Sequence, residues 1–361
     1  FTGGWDGIHF RGAPEHPCRD VSITNCRFFT GDDSIAGRYW QNTLISDCIV
    51  NSSCNGIRLI GPATNLIIHD CLFYGPGLRP HRTSDRHNML AGINLQPGAW
   101  DATKGDLDDV LISDITMHNV CTPFHISLKP GNTAGAITVD RVTATGVYRA
   151  AASVESWAKT PFADVTFRDV TFEYNGGTSQ QTQTQVKSPG VDARPLPTWG
   201  FYARNVRNIT LDNVRLRCRK PDARPVLMCE SVEALTLNDF TFTPPSRFAL
   251  SDVINVRLTD TDVPLAQPRC TKLDLITDGT SRSIIAGQSF SVKAALNNTD
   301  HAGLAAIVLA FAEHKTTRYL WLAAGQQTEV TFKALPAPNP GTHNLQCAGK
   351  SQPFTVAPAP K

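Results

Sequence analysis

Two adjacent aspartates, Asp32 and Asp33, lie in the run TGDDSIAG at residues 30–37. Like charges within a few ångströms disfavour the second ionisation, so one carboxyl keeps a proton near neutral pH while the other is ionised. A third aspartate, Asp6, lies in the run WDGIHF nearer the start of the chain. Such carboxyls can serve as general acid and general base. The structural alternative is a turn, because Asp-Asp after glycine often caps backbone amides.

The elements that would position these acids form a repeat. β-branched runs ending in polar residues recur as VSITNC, TLISDC, LIIHDC, VLISDI, ITVDRV, VTFRDV, ITLDNV and LTLNDF, which begin at residues 21, 43, 66, 110, 137, 165, 209 and 235. Within the first three runs, Cys26, Cys48 and Cys71 are 22 and 23 positions apart. A period of this size, built from short β runs without helical periodicity, predicts a parallel β-helix.

A second set of runs supplies the exposed face of each coil: DGIHFRG, DSIAG, NGIRLIG, AGINLQPG and FHISLKPG. Successive coils stack at the strand spacing of about 4.8 Å, so equivalent residues form columns. One predicted column contains Asp6, Asp33, Asn55, Ala91 and Phe124. A second predicted column contains His9, Ala36, Arg58, Asn94 and Ser127. Carboxylates, an amide and a guanidinium would therefore be neighbours.

The pattern changes near residue 266, where some seven alternating strands are separated by turn signals. Short alternating strands of this kind are typical of a small antiparallel sandwich. We therefore predict an all-β chain with a parallel β-helix over 1–262 and an Ig-like β-sandwich over 266–361. Because Phe1 already lies in mid-pattern, we expect the N-terminal coils of the β-helix to be missing.

Composition excludes several classes of partner. The 34 basic and 32 acidic residues give a formal net charge of +2, without the basic footprint of a nucleic-acid binder. We find no run of 18 or more apolar residues, so we expect no membrane partner.

The cysteines and the polar turns do not indicate a metal or a cofactor, and we predict neither. The chain contains no CxxC motif, and the column Cys26, Cys48 and Cys71 is typical of small side chains packed inward. The polar residues that end each repeat fit backbone turns better than calcium ligands. Cys270 and Cys347 are a candidate disulfide.

The runs GGWDGIHF, DVSITNCRFFTGDDSIAG and CIVNSSCNGIRLIG resemble the polygalacturonase family, glycoside hydrolase family 28, of the pectin-lyase-like β-helices. The resemblance implies a right-handed β-helix, a secreted or periplasmic location, and hydrolysis of a glycosidic bond in a poly- or oligosaccharide. Asp6, Asp32 and Asp33 match the three family acids. The resemblance therefore implies that one of these aspartates is the general acid and that one or two activate water, with inversion at the sugar. We expect the protein to be a monomer.

The chain departs from the family pattern at three places. Gly4-Trp5 replaces Asn-Thr, Asn55 replaces the histidine of Gly-His-Gly, and Asn94-Leu95-Gln96 replaces Arg-Ile-Lys. In the family the last motif grips the galacturonate carboxylate. We therefore expect a substrate other than plain polygalacturonate.

The predicted substrate-binding residues are Trp5, His9, Asn55, Arg58, His87, Asn94, Gln96 and Lys129. Each has a structural alternative: Arg58 pairs with Asp33, Trp5 braces the neighbouring coil rather than stacking on a sugar, and the strand residues are simply solvated. His87 belongs to an insertion at residues 77–88 that either walls a subsite or is an exposed loop. Within it, His81, Arg82 and Arg86 are further candidates.

Two other functions fit the same scaffold. A polysaccharide lyase or epimerase would need a basic residue near the C5 proton of a uronate, for which Arg58 and Lys129 are the candidates. The second alternative function is carbohydrate binding without catalysis, because the β-helix fold does not by itself determine function. The sandwich either binds carbohydrate or caps the open end of the β-helix.

Overall fold

The computed structural model describes residues 1–179, 185–277 and 283–359, and these residues form β-strands joined by turns and loops. The described part of the chain offers no helix of the length and apolarity that crossing a bilayer requires. Contacts divide the chain into two compact units, Phe1–Ala249 with Val256–Asp262, and Leu250–Asn255 with Val263–Lys361.

Twenty strands build the parallel part of the chain, and their register pairings from coil to coil are parallel. They are β1 Thr2–Gly3, β2 Ile8–Arg11, β3 Cys18–Thr24, β4 Arg27–Thr30, β5 Ile35–Arg38, β6 Trp40–Ser46, β7 Ile49–Ser52, β8 Asn55–Leu59, β9 Ala63–His69, β10 Leu72–Tyr74, β11 Ala91–Leu95, β12 Gly105–His118, β13 Phe124–Leu128, β14 Asn132–Val147, β15 Ala152–Ser156, β16 Phe162–Gly176, β17 Phe201–Lys220, β18 Leu227–Asn238, β19 Thr241–Phe242 and β20 Phe248–Thr259.

The repeats pair with one another as the sequence predicts. Residues of successive repeats lie opposite each other in the column Val21, Thr43, Leu66, Val110, Ile137, Val165, Ile209 and Leu235. Since each coil thereby adds one strand above its predecessor, the chain is a parallel β-helix. The predicted fold class, an all-β parallel β-helix followed by a small antiparallel sandwich, is confirmed.

Polar residues end the repeats because the chain needs a left-handed residue there. Asn25, Asp47, Asp70, Asp114, Asp169, Asn213 and Asp239 all have φ between 43° and 55°. Asn and Asp enter this region more readily than most residues. Some of these side chains also bond from coil to coil, as Asn213 Nδ2 donates to Asp169 Oδ1 at 2.6 Å.

The cysteines lie in the wall of the coils as thiols. Cys48 and Cys71 are buried, and each donates its Sγ hydrogen to the carbonyl two residues earlier, at 3.1 and 3.2 Å. In the second unit Cys270 and Cys347 are also free thiols. The two thiols contact each other, and the Cys270 thiol also donates to the carbonyl of Lys272.

Both predicted columns differ from the structure by two residues at their last coil. Asn94 lies opposite His125, and Ile93 lies opposite Phe124, so the predicted matches of Asn94 with Ser127 and of Ala91 with Phe124 are wrong. The alignment equated the Pro-Gly turns after the two strands. His125 lies two residues farther from its Pro-Gly turn than Asn94 does, which shifts the register.

The second unit contains eight described strands: β21 Arg269–Thr277, β22 Ile284–Ile285, β23 Ser289–Asn297, β24 Gly303–Phe311, β25 His314–Leu322, β26 Gln327–Pro336, β27 Gly341–Cys347 and β28 Lys350–Ala357. One sheet has the order β21-β23-β26 and the other β22-β28-β27-β24-β25, with antiparallel pairings except between β22 and β28. Phe290 of the first sheet packs against Phe311 and Phe354 of the second. The two sheets thus share one core.

The inward column Ile35, Ile57, Ile93 and Phe124 has no solvent-exposed area and allows a test of the coil stack. We expect Ile57→Ala to lower the free energy of unfolding by about 2–5 kcal/mol, because it removes buried methyl groups and leaves a cavity. Leu111→Ala, at a side chain that is 37% exposed, is the control and should stay within about 0.5 kcal/mol. Urea denaturation measures both, and equal losses would contradict the assigned inward face.

Candidate active site

A cavity of about 500 Å³ opens beside β2, β5 and β8 in the first unit. Charged, imidazole and indole side chains form much of its lining: Asp6, Asp32, Asp33, Asp192, Arg11, Arg58, Arg86, His9, His81, Trp5 and Trp100. Six predicted site residues are among them, namely Trp5, Asp6, His9, Asp32, Asp33 and Arg58. Both tryptophans expose half of their surface or more, so their rings are accessible from the cavity.

The three predicted acids converge in this cavity. One carboxylate oxygen from each of Asp6, Asp32 and Asp33 lies within 4.8 Å of the other two. The parallel register is the cause, because Gly7 N donates to the carbonyl of Asp33 at 3.0 Å and holds one turn over the other. Gly31 is required before the pair, since a Cβ there would lie 2.3 Å from the carbonyl oxygen of Pro80.

Asp33 is the most enclosed of the three acids, with 5% of its surface exposed. Its Oδ1 accepts hydrogen bonds from the backbone N of Asn55 at 3.0 Å and from Asn55 Nδ2 at 2.7 Å. Its Oδ2 lies 3.2 Å from Nε of Arg58. Asn55 and Arg58 therefore orient this carboxylate, and the ion-pair alternative for Arg58 is realised.

Asp6 and Asp32 are more open, and each faces an imidazole. Asp6 Oδ2 lies 2.6 Å from His9 Nδ1, and Asp32 Oδ2 lies 3.5 Å from His81 Nε2. The hydroxyl of Ser84, 2.9 Å from His81 Nδ1, orients the His81 ring. The site therefore contains two carboxylate–imidazole pairs, an arrangement suited to proton transfer.

The insertion at 77–88 contributes His81 to the cavity rather than His87, which the sequence favoured. His87 does not line the cavity, and its Nδ1 lies 2.6 Å from the carbonyl oxygen of Gly77. His81 is 9% exposed and lies beside Asp32. Closeness to the next strand favoured His87, whereas the fold of the insertion decides which histidine turns inward.

Three other predicted binding residues, Asn94, Gln96 and Lys129, do not line the cavity. Their polar ends bind the chain at 188–191 instead, as Gln96 Nε2 donates to the carbonyl of Gly190 at 2.6 Å. In this arrangement a sugar could reach them only after that segment had moved. Their role in binding sugar stays a prediction.

Sequence reasoning missed Asp192, Trp100, Arg11 and a buried charged cluster next to the cavity. Asp192 lines the cavity and forms an ion pair with Arg58, 134 positions earlier in the chain. No local pattern around Asp192 signals this contact. Asp33 and Asp192 contribute to a raised pKa of the Arg58 guanidinium despite its burial. The Arg58 side chain is therefore a fixed positive charge between two carboxylates.

The buried cluster contains His125 and Glu155, which are 1% and 0% exposed. Nε2 of His125 lies 3.6 Å from Oε1 of Glu155, and Arg194 donates to both Glu155 oxygens at 2.8 and 2.7 Å. Burial lowers the pKa of His125 to about 4, so its ring is neutral at neutral pH. Burial also opposes ionisation of Glu155, but the hydrogen bonds from Arg194 outweigh it and lower the pKa of Glu155.

The mixed set of donors at Asp32, Cys54 and His81 does not fit a cation. Asp32, Cys54 and His81 bring one oxygen, one sulfur and one nitrogen within 4.8 Å of one another. Nη2 of Arg86, however, donates to Cys54 Sγ at 3.0 Å, and burial raises the pKa of this thiol. A guanidinium thus takes the position that a metal would need next to the sulfur.

The spacing of the acids bears on the stereochemistry of hydrolysis. A separation of about 5 Å between carboxyl groups is typical of retaining enzymes, and about 6.5–9.5 Å of inverting ones. The closest oxygens of Asp6, Asp32 and Asp33 lie within 4.8 Å of one another, which is a shorter measure than the separation of the carboxyl groups and fits either outcome. Inversion is the expectation that comes from the family resemblance alone.

Comparisons with known proteins identify no family for this chain. No protein-family model and no curated protein matches it. Among solved structures, the tailspike protein gp49 from Acinetobacter baumannii bacteriophage Fri1, a capsular polysaccharide depolymerase, matches at 9% identity with a TM-score of 0.34. The match covers 99% of this chain and 67% of that chain. Since this likeness is too low to carry an argument, the fold described above rests on the strand pairing of this chain.

The lowered pKa of His125 predicts how stability depends on pH. The neutral ring contributes stability above the unfolded value of about 6.5, and this contribution is lost as pH falls towards 4. Replacing the ring in His125→Gln should remove up to about 3 kcal/mol of that pH dependence. Urea denaturation at pH 7 and pH 4.5 measures it, with Ser127→Ala as a buried control that does not titrate. An unchanged pH dependence in His125→Gln would contradict the assignment.

Proposed function

We propose that this chain is a glycoside hydrolase that cleaves a poly- or oligosaccharide by acid–base catalysis with Asp6, Asp32 and Asp33. The observation that supports it best is the convergence of these three carboxyls within 4.8 Å in a cavity rimmed by exposed indole rings. Hydrolysis of a glycosidic bond requires one carboxyl that gives a proton and another that accepts one.

The contacts of each acid suggest its role. Asp32 gives its proton to the leaving oxygen as the glycosidic C–O bond breaks, since its Oδ2 faces the cavity beside His81. Asp6, paired with His9, accepts the proton of the water whose oxygen bonds to the anomeric carbon. Asp33, held by Asn55 and Arg58, stabilises the positive charge that develops on the sugar.

The rim residues supply the binding. Trp5 and Trp100, 50% and 60% exposed, offer flat apolar faces on which sugar rings stack. Arg82 lies 5.1 Å from the centroid of the Trp5 ring and limits its motion. Arg11 and Arg86 add donors for hydroxyl or acid groups of the substrate. The missing Arg-Ile-Lys motif supports a substrate other than plain polygalacturonate.

We expect Asp32→Asn, and separately Asp6→Asn, to lower turnover by about 10²–10⁴-fold, because each removes one proton-transfer group. Release of reducing ends from polygalacturonate, rhamnogalacturonan, xylan and dextran measures it, with circular dichroism to check folding. Asp47→Asn is the control, since Asp47 is exposed in a turn and asparagine tolerates its φ of 53°. Full turnover in both active-site variants would remove these acids from the mechanism.

The two histidines of the insertion form a matched pair. We expect His81→Gln to lower kcat by about 100-fold, because the ring faces Asp32 and a misplaced acid costs that much. His87→Gln should keep kcat near the wild-type value, since His87 bonds a backbone carbonyl outside the cavity. Steady-state kinetics on the substrate found above compares them. The reverse order of effects would favour the assignment made from sequence alone.

A polysaccharide lyase is the second candidate, because His9 and His81 place two imidazoles at the cavity as bases for a C5 proton. Of the basic residues first considered, Lys129 is bound to Ser188 and Arg58 to two carboxylates. A lyase product carries a double bond that absorbs in the ultraviolet, whereas a hydrolase product does not. Absence of both products over a broad panel would favour a non-catalytic sugar-binding protein.

Secretion and a monomeric state stay predictions.

A further inference from the structure

Residues 187–194, here called the strap, cross the face of the β-helix next to the cavity. Four side chains of the β-helix bind them in order. Lys129 Nζ donates to Ser188 Oγ at 2.8 Å and to the carbonyl of Pro189. Gln96 and Asn94 donate to the next two carbonyls, of Gly190 and Val191, and Arg58 pairs with Asp192.

The strap is also anchored by a buried ion pair. Arg194 donates to both oxygens of Glu155, which has no exposed surface, and to the carbonyl of Lys187 at 2.6 Å. Breaking such a pair would leave a buried charge without a partner, at a cost of several kcal/mol. The closed position of the strap is therefore strongly favoured.

The strap lies where a bound polysaccharide would continue. Arg58, Asn94, His125 and Ser153 are register partners on successive coils, so they mark the direction along the β-helix. The strap follows these same coils, and Val191 and Asp192 form part of the cavity wall. The cavity is thus closed on the side of the later coils.

We propose that the strap turns the groove into a pocket for a chain end, so that the enzyme removes one terminal sugar at a time. This inference rests on the proposed hydrolase function. A single guanidinium, that of Arg58, contacts both Asp33 and Asp192, so the strap closes the cavity within the reach of one side chain from the acids. Arg58 and Asp192 are then the groups that meet the terminal unit.

The competing arrangement is an open groove after movement of the strap. Beneath it, both ring nitrogens of His125 and the hydroxyl of Ser127 have no hydrogen-bond partner among the described residues. A longer chain would bind these groups if the strap lifted, and cleavage would then occur within the polymer. The size of the first products distinguishes the two arrangements.

The test uses the wild-type protein and whichever of polygalacturonate, rhamnogalacturonan, xylan and dextran yields new reducing ends. Products are sized by chromatography at early times, and viscosity is followed in parallel. We expect a single small product and little loss of viscosity. A ladder of oligosaccharides with a rapid fall in viscosity would overturn the inference but leave the hydrolase proposal intact. No release from any polymer would overturn both.

A variant of the strap tests whether the strap causes the single product size. Replacing Ser188–Asp192 by three glycines should shift the products from one size to a ladder, because it opens the closed side. Lys187→Ala, at an exposed side chain of the same segment, is the control and should keep the single product. A folded variant that still gives one product would overturn the role of the strap. If circular dichroism shows that the variant is unfolded, the product size of the wild type decides.

Discussion

The parallel register between successive coils is the constraint on which this structure depends. Each coil places its strands directly above those of the coil before, and Ile35, Ile57 and Ile93 follow one another inward. The same register holds Asp33 next to Asn55 and, through the bond from Gly7, brings Asp6 over the Asp32-Asp33 turn. Backbone hydrogen bonds between coils, rather than flexible loops, therefore set the positions of these site residues.

Charge balance is the second organising feature, because buried charges are tolerated only with partners. Arg58 lies between Asp33 and Asp192, and Arg194 lies on Glu155. These three ion pairs connect the acids, the cavity wall and the strap into one network. In the proposed mechanism, the same Arg58 that orients an acid also ends the space available to the sugar.

The fold and the proximity of the three acids could be predicted from the sequence, because both depend on a local pattern that repeats in each coil. The spacing of Cys26, Cys48 and Cys71 defined the coil, and polar residues with φ near 50° ended it. Reasoning failed where coils differ in length. Aligning the Pro-Gly turns displaced Ser127 by two positions, and the insertion at 77–88 brought His81 instead of His87 to the cavity.

By itself, then, the sequence determined the repeat, the parallel pairing and the neighbourhood of Asp6, Asp32 and Asp33, since one-coil periodicity converts spacing along the chain into adjacency in space. Only the tertiary structure decided that Asp192 meets Arg58 and that the strap covers Asn94, Gln96 and Lys129. The physical reason is that these contacts join irregular segments to distant coils. Their geometry depends on side-chain packing and ion pairing over more than fifty positions, which no local pattern encodes.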